Sequence, residues 1–338
     1  MAGKGVKIGV DLGTVNTLVY INGQGVIYNE PSVIAFDRKT KKCIAVGKEA
    51  KDMVGKEHDH IDVIKPLEGG VISDLEATKA YLQYVFEKLE HINVKFKKST
   101  LLICCPSEVT NIEKNAMGQL ATQVGIRDVF IEEEIKAGAI GAGIDIFAPQ
   151  GAMIIDIGGG TSDIGVLALG DLVVSESTRI AGNYLDNQIT KYVKMKYNMA
   201  IGNKTAETIK IKLGTLKETL EEEKEYAFSG RNLKTGLPCK MTVKQSEIRD
   251  IFLRAFETIT NTAKKVLQQS PPELAADIFN DGIIINGGGA LIEGVQAYFE
   301  NQLNLKIKIA ENPLTAIVEG SKLLLKNRGN YLVKPADV

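Results

Sequence analysis

Two stretches of the chain share one pattern of apolar and polar positions. Each begins as an apolar strand, reaches a single acid, passes through glycine and hydroxyl residues, and resumes as a second apolar strand. The first covers residues 8–20 and contains Asp11, and the second covers residues 153–166 and contains Asp156. Short apolar runs bounded by glycine are typical of buried strands joined by a tight turn. Both stretches are therefore predicted to be strand pairs whose turn faces a ligand.

The glycine-rich turns predict phosphate binding. Gly158, Gly159 and Gly160 have no Cβ, so their backbone N–H groups can close around an anion. Asp156 would be costly as an isolated buried charge, but it becomes favourable beside a hydrated Mg²⁺. A tight glycine hairpin with a surface acid is the alternative for this motif taken alone. The stretch around Asp11 repeats the same pattern of strand, acid, glycine turn and strand. Two similar half-domains are therefore expected to face each other across one nucleotide.

The rest of the pattern predicts a chain of mixed strands and helices. A third glycine run at residues 282–290 predicts a strand leading into a helix, where a base or ribose can approach bare backbone. A capping box at residues 73–76 predicts one helix start, and Ser246 is predicted to cap a long amphipathic helix. Residues 221–240 predict a small exposed subdomain. Further strands are predicted at residues 25–36, 100–105, 129–131, 172–180 and 305–309, and further helices at 113–124, 137–143, 184–197, 205–213, 291–301 and 315–326.

Composition limits the class of protein. With 338 residues, 44% apolar and 25% charged, the chain is long enough for two cores and has the balance of a soluble protein. The net charge of −1 argues against a general nucleic-acid partner. The cysteines show no paired spacing, which predicts core thiols in a reducing cytoplasm. No signal peptide and no apolar run of spanning length is found, so the protein is expected to stay inside the cell.

Taken together, the motifs resemble those of the actin superfamily, and within it the MreB family of bacterial actins. The resemblance covers essentially the whole chain, in family order. It rests on five segments, namely residues 11–17, 66–74, 156–161, 205–210 and 287–290. No Gly-x-x-x-x-Gly-Lys-Ser/Thr loop occurs in the sequence. Phosphate binding is therefore expected to be shared by the two glycine turns.

The resemblance implies an α/β fold of the actin-like ATPase type. In this fold, two domains of related mixed β-sheets flanked by helices hold the nucleotide in the interdomain cleft. Domain I is expected to comprise residues 1–148 and 311–338, with a smaller subdomain at about 31–69. Domain II is expected to comprise residues 149–310, with a smaller subdomain at about 183–250.

The resemblance also implies roles for individual residues around ATP or ADP with Mg²⁺. Asp11 and Asp156 are expected to hold Mg²⁺ mostly through its waters. Glu134 and Thr161 are expected to position the attacking water. The phosphates are expected to contact Gly13, Thr14, Val15, Asn16, Gly158, Gly159 and Gly160. The nucleoside is expected to contact Glu207, Lys210, Gly287, Gly288, Gly289 and Ala290.

Some of these roles have alternatives that the sequence leaves open. Acids at a helix start also complement the helix dipole, which is the alternative for Glu134. Glu207 and Lys210 lie three positions apart on a predicted helix, where a surface ion pair is the alternative. Ile135 and Lys136 replace the Pro and Met of the family pattern. A Lys beside the expected water-positioning acid can pair with it or alter filament contacts, so the sequence leaves the hydrolysis rate open.

The implied function is slow ATP hydrolysis coupled to the assembly of filaments for cell shape, or for motility in a cell without a wall. Subunits are expected to stack head to tail, in paired protofilaments, in the cytoplasm at the inner face of the cell membrane. A small-molecule kinase of the same superfamily and a chaperone ATPase are the rival functions. The chain shows neither a substrate-pocket insertion nor a peptide-binding domain, which favours the filament.

Contact with an anionic membrane surface is expected through one of two segments. One combines Ile92, Val94 and Phe96 with nearby lysines, so that apolar insertion and attraction to lipid headgroups act together. For this segment taken alone, a solvated loop is the default and membrane contact is the alternative. The other is the basic C-terminal tail, which contains Lys322, Lys326, Arg328 and Lys334.

Overall fold

The computed structural model describes residues 6–91, 99–107, 109–126, 128–220 and 222–326. The chain divides into two compact units. The first unit comprises Met1–Gln150, Leu167–Leu172 and Leu314–Val338, and the second comprises Gly151–Val166 and Val173–Pro313. Each unit has its own buried apolar core. The smaller subdomains expected at residues 31–69 and 183–250 stay predictions.

The described chain contains both strands and helices throughout its length. Residues 6–150 supply β1 (Lys7–Leu12), β2 (Asn16–Ile21), β3 (Gly25–Pro31), β4 (Ile34–Asp37), β5 (Cys43–Val46), α1 (Lys48–Met53), β6 (Ile61–Ile64), β7 (Leu67–Glu68), β8 (Val71–Ile72), α2 (Leu75–His91), β9 (Thr100–Cys105), α3 (Asn111–Gln123), β10 (Asp128–Glu133) and α4 (Glu134–Gly141). Residues 151–326 supply β11 (Ala152–Ile157), β12 (Ser162–Ala168), β13 (Asp171–Thr178), α5 (Gly182–Tyr197), β14 (Met199–Ala200), α6 (Asn203–Leu213), β15 (Glu225–Asn232), β16 (Pro238–Lys244), α7 (Gln245–Gln269), α8 (Pro272–Asp281), β17 (Ile283–Asn286), α9 (Val295–Leu303), β18 (Ile307–Ile309) and α10 (Ala316–Lys326).

The first unit is built on a five-stranded sheet in the order β3-β2-β1-β9-β10. Strand β1 runs antiparallel to β2 and parallel to β9. Every residue of β9 is buried, as expected for a parallel strand covered on both faces. Helix α2 supplies core side chains to this sheet, among them Tyr81, Leu82, Val85 and Phe86. The carboxyl ends of β1, β9 and β10 consequently meet at one edge of the sheet.

Helices α4 and α10 of the first unit pack closely at two glycines. A Cβ at Gly141 would clash with the carbonyl oxygen of Ala316, and a Cβ at Gly320 would clash with that of Ala137. Glycine is the residue that allows two backbones to approach so closely. Helix α10 also contacts β1, where Nζ of Lys7 donates to the carbonyl oxygen of Leu325 at 2.6 Å.

The second unit repeats the same plan with its own sheet. Its strand order is β13-β12-β11-β17-β18, and β11, β17 and β18 run parallel. Strand β11 therefore takes the place of β1, and β17 takes the place of β9. This repetition confirms the prediction of two related half-domains. Two small sheets, β5-β4-β6 and β14-β15-β16, are added to the units.

Two predicted helix caps are wrong. At the start of α2, a side-chain oxygen of Asp74 accepts from the backbone N–H of Ala77 at 2.9 Å. Ser73, the predicted cap, instead donates its hydroxyl to the carbonyl oxygens of Lys65 and Pro66. Helix α7 begins at Gln245, one residue before Ser246, whose hydroxyl bonds to a Glu223 carboxylate oxygen at 2.9 Å. At α2 the sequence offered two neighbouring polar residues, and the bonds from Ser73 to Lys65 and Pro66 leave Asp74 as the cap.

Other predictions were wrong in the placement of segment ends. Gly182 and Asn183, predicted as a turn, begin α5. The helix predicted at residues 291–301 is divided into a 3-10 helix at Gly288–Leu291 and the helix α9. Strand β5 was not predicted. Cys104 and Cys105 are buried as predicted, but Cys43 is exposed.

The membrane predictions fall largely on residues outside the described ranges. Ile92, Val94, Phe96, Arg328 and Lys334 all lie there, so their contact with a membrane stays a prediction. Within the ranges that the structure describes, no helix combines the length and the apolar character needed to cross a membrane.

Candidate functional site

The first unit brings acids together where its parallel strands end. Asp11 on β1 and Glu132 on β10 are both register partners of Cys104 on β9. Asp11 and Glu132 are each only 6% exposed. Burial raises the pKa of the Cys104 thiol, and nearby carboxylates raise it further, namely those of Asp11, Glu132 and Glu134. The predicted metal ligand Asp11 and the predicted water-positioning acid Glu134 therefore lie near one strand end.

The turn between β1 and β2 contains the predicted phosphate-binding residues of the first unit. Thr14 is buried, whereas the Asn16 side chain is exposed. A Cβ at Gly13 would lie 2.8 Å from the carbonyl oxygen of Asn16, so the tight turn requires glycine here. Ser32 stabilises this turn, because its hydroxyl donates to the carbonyl oxygen of Gly13 at 2.6 Å.

Glu134 is the first residue of α4 and is half-buried. Lys136, one of the two departures from the family pattern, lies on the same first turn. Its Nζ is 3.3 Å from Oε1 of Glu132 and 2.6 Å from Oδ1 of Asp171. Burial raises the pKa of Glu132, and the charge of Lys136 opposes that rise. Lys136 thus neutralises a buried acid beside Glu134.

In the second unit, Asp156 is the penultimate residue of β11 and the register partner of Asn286, which ends β17. Nδ2 of Asn286 donates to Oδ2 of Asp156 at 3.0 Å. Burial, followed by the nearby carboxylate of Asp163, raises the pKa of Asp156 to about 7, while the bond from Asn286 lowers it. A carboxylate in this position is stabilised by a nearby cation.

The loop of Gly158, Gly159 and Gly160 is fixed by the first residues of α5. The carbonyl oxygen of Gly158 accepts from the N–H of Gly182 at 3.1 Å, and that of Gly159 accepts from the N–H of Asn183 at 2.8 Å. A peptide unit is planar and trans, so its N–H points opposite to its C=O. The N–H groups of Gly159 and Gly160 therefore point away from α5.

Thr161 follows this loop and is buried. Its hydroxyl donates to Oδ2 of Asp163 at 2.8 Å. The lone pairs of the Thr161 oxygen remain able to accept a hydrogen bond from water. Asp163 is thus a residue of this site that the sequence pattern did not indicate.

The third glycine run is shaped by packing within the second unit. A Cβ at Gly287, which has φ of +79°, would clash with Oδ1 of Asp156 and the carbonyl oxygen of Ile157. A Cβ at Gly289 would clash with the Ile157 side chain. Gly288 is exposed, and Ala290 is buried. Glycine is thus required at Gly287 and Gly289 because residues at the end of β11 pack directly against both positions.

Lys210 on α6 binds the start of α5. Its Nζ lies 2.9 Å from Oδ2 of Asp186 and donates to the carbonyl oxygen of Gly182 at 3.2 Å. These contacts differ from the surface ion pair with Glu207 that was the alternative at this position. Glu207 lies on the same helix, α6. The nucleoside contacts of both residues stay predictions.

The residues present fit a Mg²⁺ ion bound mostly by water and phosphate. Among the residues that the structure describes, no group of three or more His, Cys, Asp or Glu side chains is arranged to hold a metal. Mg²⁺ in nucleotide sites typically has one or two carboxylates and keeps several waters. Asp11 in the first unit and Asp156 in the second are each a hard oxygen donor of this kind, and the raised pKa of Asp156 fits a position that receives a cation.

Known proteins match this chain over nearly its whole length. The family model of the MreB/Mbl protein matches residues 5–332. The cell shape-determining protein Mbl of Bacillus cereus is 45% identical over 320 residues, which cover 95% of this chain and 96% of that protein. The cell shape-determining protein MreB of Escherichia coli is 39% identical over 318 residues, covering 93% and 91%.

Solved structures show the same similarity. Crystal structures of MreB5 of Spiroplasma citri bound to ADP and to AMPPNP both match with a TM-score of 0.89 and 44% identity. The ADP-bound structure matches over 94% of this chain and 95% of that one. A MamK filament structure matches with a TM-score of 0.79 at 22% identity, over 96% and 100%, and shows the fold alone.

This protein is actin-like. The evidence is the repeated sheets, the two glycine turns that follow Asp11 and Asp156, and these matches. More specifically, the chain belongs to the MreB/Mbl family. This membership favours the cytoskeletal function over the small-molecule kinase that was the alternative.

Proposed function

We propose that this chain is an ATP-hydrolysing, filament-forming protein that determines cell shape, or drives motility in a cell without a wall. The observation that carries the proposal is the pair of buried aspartates, Asp11 and Asp156. Each is the penultimate residue of the corresponding strand in two sheets of the same plan. Each aspartate precedes a turn whose carbonyl groups accept hydrogen bonds from within the same unit. Ser32 donates them in the first unit, and the first residues of α5 donate them in the second. The MreB5 relatives bound to ADP and AMPPNP support a nucleotide as the ligand.

The phosphates are bound by backbone N–H groups of both turns. In the second unit, the N–H groups of Gly159 and Gly160 point away from α5 and are preset for an anion. In the first unit, Gly13, Thr14, Val15 and Asn16 serve the same purpose. Each charge-assisted hydrogen bond contributes roughly 1.5–3 kcal/mol, so a nucleotide that loses its γ-phosphate loses appreciable binding energy.

Asp11 and Asp156 would hold Mg²⁺. When bound, the ion would supply positive charge that neutralises the phosphates. Glu134 accepts a hydrogen bond from the attacking water, and Thr161 accepts another while it donates to Asp163. Glu207, Lys210, Gly287, Gly288, Gly289 and Ala290 receive the nucleoside. Hydrolysis is proposed to be slow and to be coupled to filament assembly.

Assembly is head to tail, and the filaments lie at the inner face of the cell membrane in the cytoplasm. Support for membrane contact comes from the sequence of the segment with Ile92, Val94 and Phe96. Lys322 and Lys326 on α10, which are both exposed, add positive charge to the first unit. An anionic surface attracts such lysines by about 1 kcal/mol each.

Sedimentation and phosphate release test this function directly. The purified chain is incubated with ATP and Mg²⁺, with ATP and a chelator, and with no nucleotide. We expect pelleted polymer and phosphate release only with ATP and Mg²⁺. Asp11→Ala and Asp156→Ala should each abolish Mg²⁺-dependent nucleotide binding, since both units contribute. Phosphorylation of a small molecule in place of polymer would contradict the proposal.

A further inference from the structure

We propose that Ser32 is a positioning residue for the phosphate-binding turn of the first unit, a role that rests on the proposed function. Ser32 lies between β3 and β4, outside every glycine motif, and its side chain is completely buried. Its hydroxyl donates to the carbonyl oxygen of Gly13 at 2.6 Å. Its backbone N–H donates to the carbonyl oxygen of Val15 at 2.9 Å.

These two bonds set the direction of two other backbone groups. The chain has no cis peptide bond among its described residues. In a planar trans peptide, the N–H of the following residue points opposite to the C=O. With the carbonyls of Gly13 and Val15 turned toward Ser32, the N–H groups of Thr14 and Asn16 are turned away from it. These are backbone donors of the turn proposed to bind phosphate.

The second unit also orients the carbonyl groups of its glycine turn by hydrogen bonds, but with different donors. This parallel supports the role of Ser32. There, the first two N–H groups of α5 turn the carbonyls of Gly158 and Gly159. In the first unit one serine supplies both donors, through its side chain and its backbone. In both turns proposed to bind phosphate, the carbonyl groups therefore accept hydrogen bonds from the protein. The N–H groups of the same peptide units point in the opposite direction, where they can bind an anion.

The Ser32 hydroxyl is itself oriented by a neighbour. Oγ1 of Thr17 lies 2.9 Å from Oγ of Ser32. A hydroxyl has one hydrogen, and Ser32 gives its hydrogen to Gly13, so Thr17 is the donor to Ser32. Thr17 is also fully buried. Thr17→Val removes this donation and keeps the bond from Ser32 to Gly13, so it is a matched control for the loss of a buried hydroxyl.

The test compares nucleotides that differ only in phosphate number. Affinities for ATP, ADP and AMP are measured by calorimetry for the wild-type chain and for Ser32→Ala, Ser32→Cys and Thr17→Val. We expect Ser32→Ala to weaken ATP binding by about 5- to 30-fold, the equivalent of one or two hydrogen bonds. AMP binding should weaken less. Ser32→Cys retains a weak donor and should fall between wild type and Ser32→Ala.

A purely structural serine gives a different result. In that case Ser32→Ala and Thr17→Val both lower the unfolding temperature, and the ratio of ATP to AMP affinity stays at the wild-type value in both, which overturns the role of Ser32. If Ser32→Ala does not fold, Ser32→Cys decides by the same ratio. A wild-type chain that binds no nucleotide contradicts the proposed function itself, whereas wild-type binding with an unchanged ratio in the Ser32 variants contradicts only the positioning role.

Discussion

Asp156 and Asn286 lie side by side on parallel strands, and the amide of Asn286 donates to the Asp156 carboxylate at 3.0 Å. The pair joins the first and last motifs of the second unit, and both side chains are buried. Asn286 therefore stabilises the charge of Asp156 without adding a charge of its own.

Asn286→Asp should destabilise the nucleotide-free chain, because two buried carboxylates in contact cannot both ionise without repulsion. We expect the free energy of unfolding to fall by about 2 kcal/mol or more at neutral pH. Protonation relieves the repulsion, so the loss should shrink as the pH is lowered. Chemical denaturation at several pH values measures this. Asn301→Asp adds the same charge on an exposed site of α9 and should have little effect; an equal loss in both variants would be inconsistent with the contact.

Glu134→Ala should slow phosphate release by at least roughly 100-fold, the usual loss when a group that assists proton transfer is removed. ATP binding should change little, because Glu134 is proposed to contact water and not the nucleotide. Single-turnover phosphate release and equilibrium binding separate the two steps. Glu133→Ala, at the end of β10, is the neighbouring control. Normal hydrolysis by Glu134→Ala would rule out the assignment.

Lys136→Met should destabilise the first unit by about 3 kcal/mol, because it leaves the buried Glu132 carboxylate without its ion-pair partner. The double variant Glu132→Gln with Lys136→Met should recover much of this loss, since the buried charge is then removed. Urea unfolding of the wild type, both single variants and the double variant forms a double-mutant cycle. Additive losses would show that the two side chains are energetically independent.

Glu293→Gln should lower the free energy of unfolding by about 1 kcal/mol at neutral pH, a value discounted for solvent screening. Hydrogen bonds from Lys217 and Lys224 lower the pKa of Glu293 from 4.5 to about 2. A lowered pKa stabilises the fold above pH 4.5, and this contribution is lost as the pH falls from 4.5 to about 2. The difference between variant and wild type should therefore disappear in acid. Glu311→Gln, which removes a carboxylate from an exposed site, is the control for the substitution itself.

The acid-ended strands could be predicted from sequence because their signal is local. Asp11 and Asp156 each end an apolar run and precede glycine, and the structure places both at buried strand ends. The duplicated plan followed from comparing these two stretches. Helix starts could not be predicted to the residue, since Ser73 and Asp74 are both good caps and only the tertiary contacts of Ser73 decide between them.

The supporting residues could not be predicted, because their partners are distant in sequence. Ser32 lies 19 positions from Gly13, and Asn286 lies 130 positions from Asp156. No spacing rule connects such pairs before the strand order is known. Lys136 was recognised as a departure from the family pattern, but its partner Asp171 is brought to it by the turn between β12 and β13.

The close packing of α10 against α4 has a consequence for synthesis of the chain. The first unit is discontinuous, and α10, which fits against Gly141 and reaches β1, is made after the entire second unit. On the ribosome, residues 151–313 can complete their core while the amino-terminal sheet still lacks its last helix. Synthesis of α10 thus completes the first unit only after the second unit has been made, and nascent chains are expected to depend on chaperones until then.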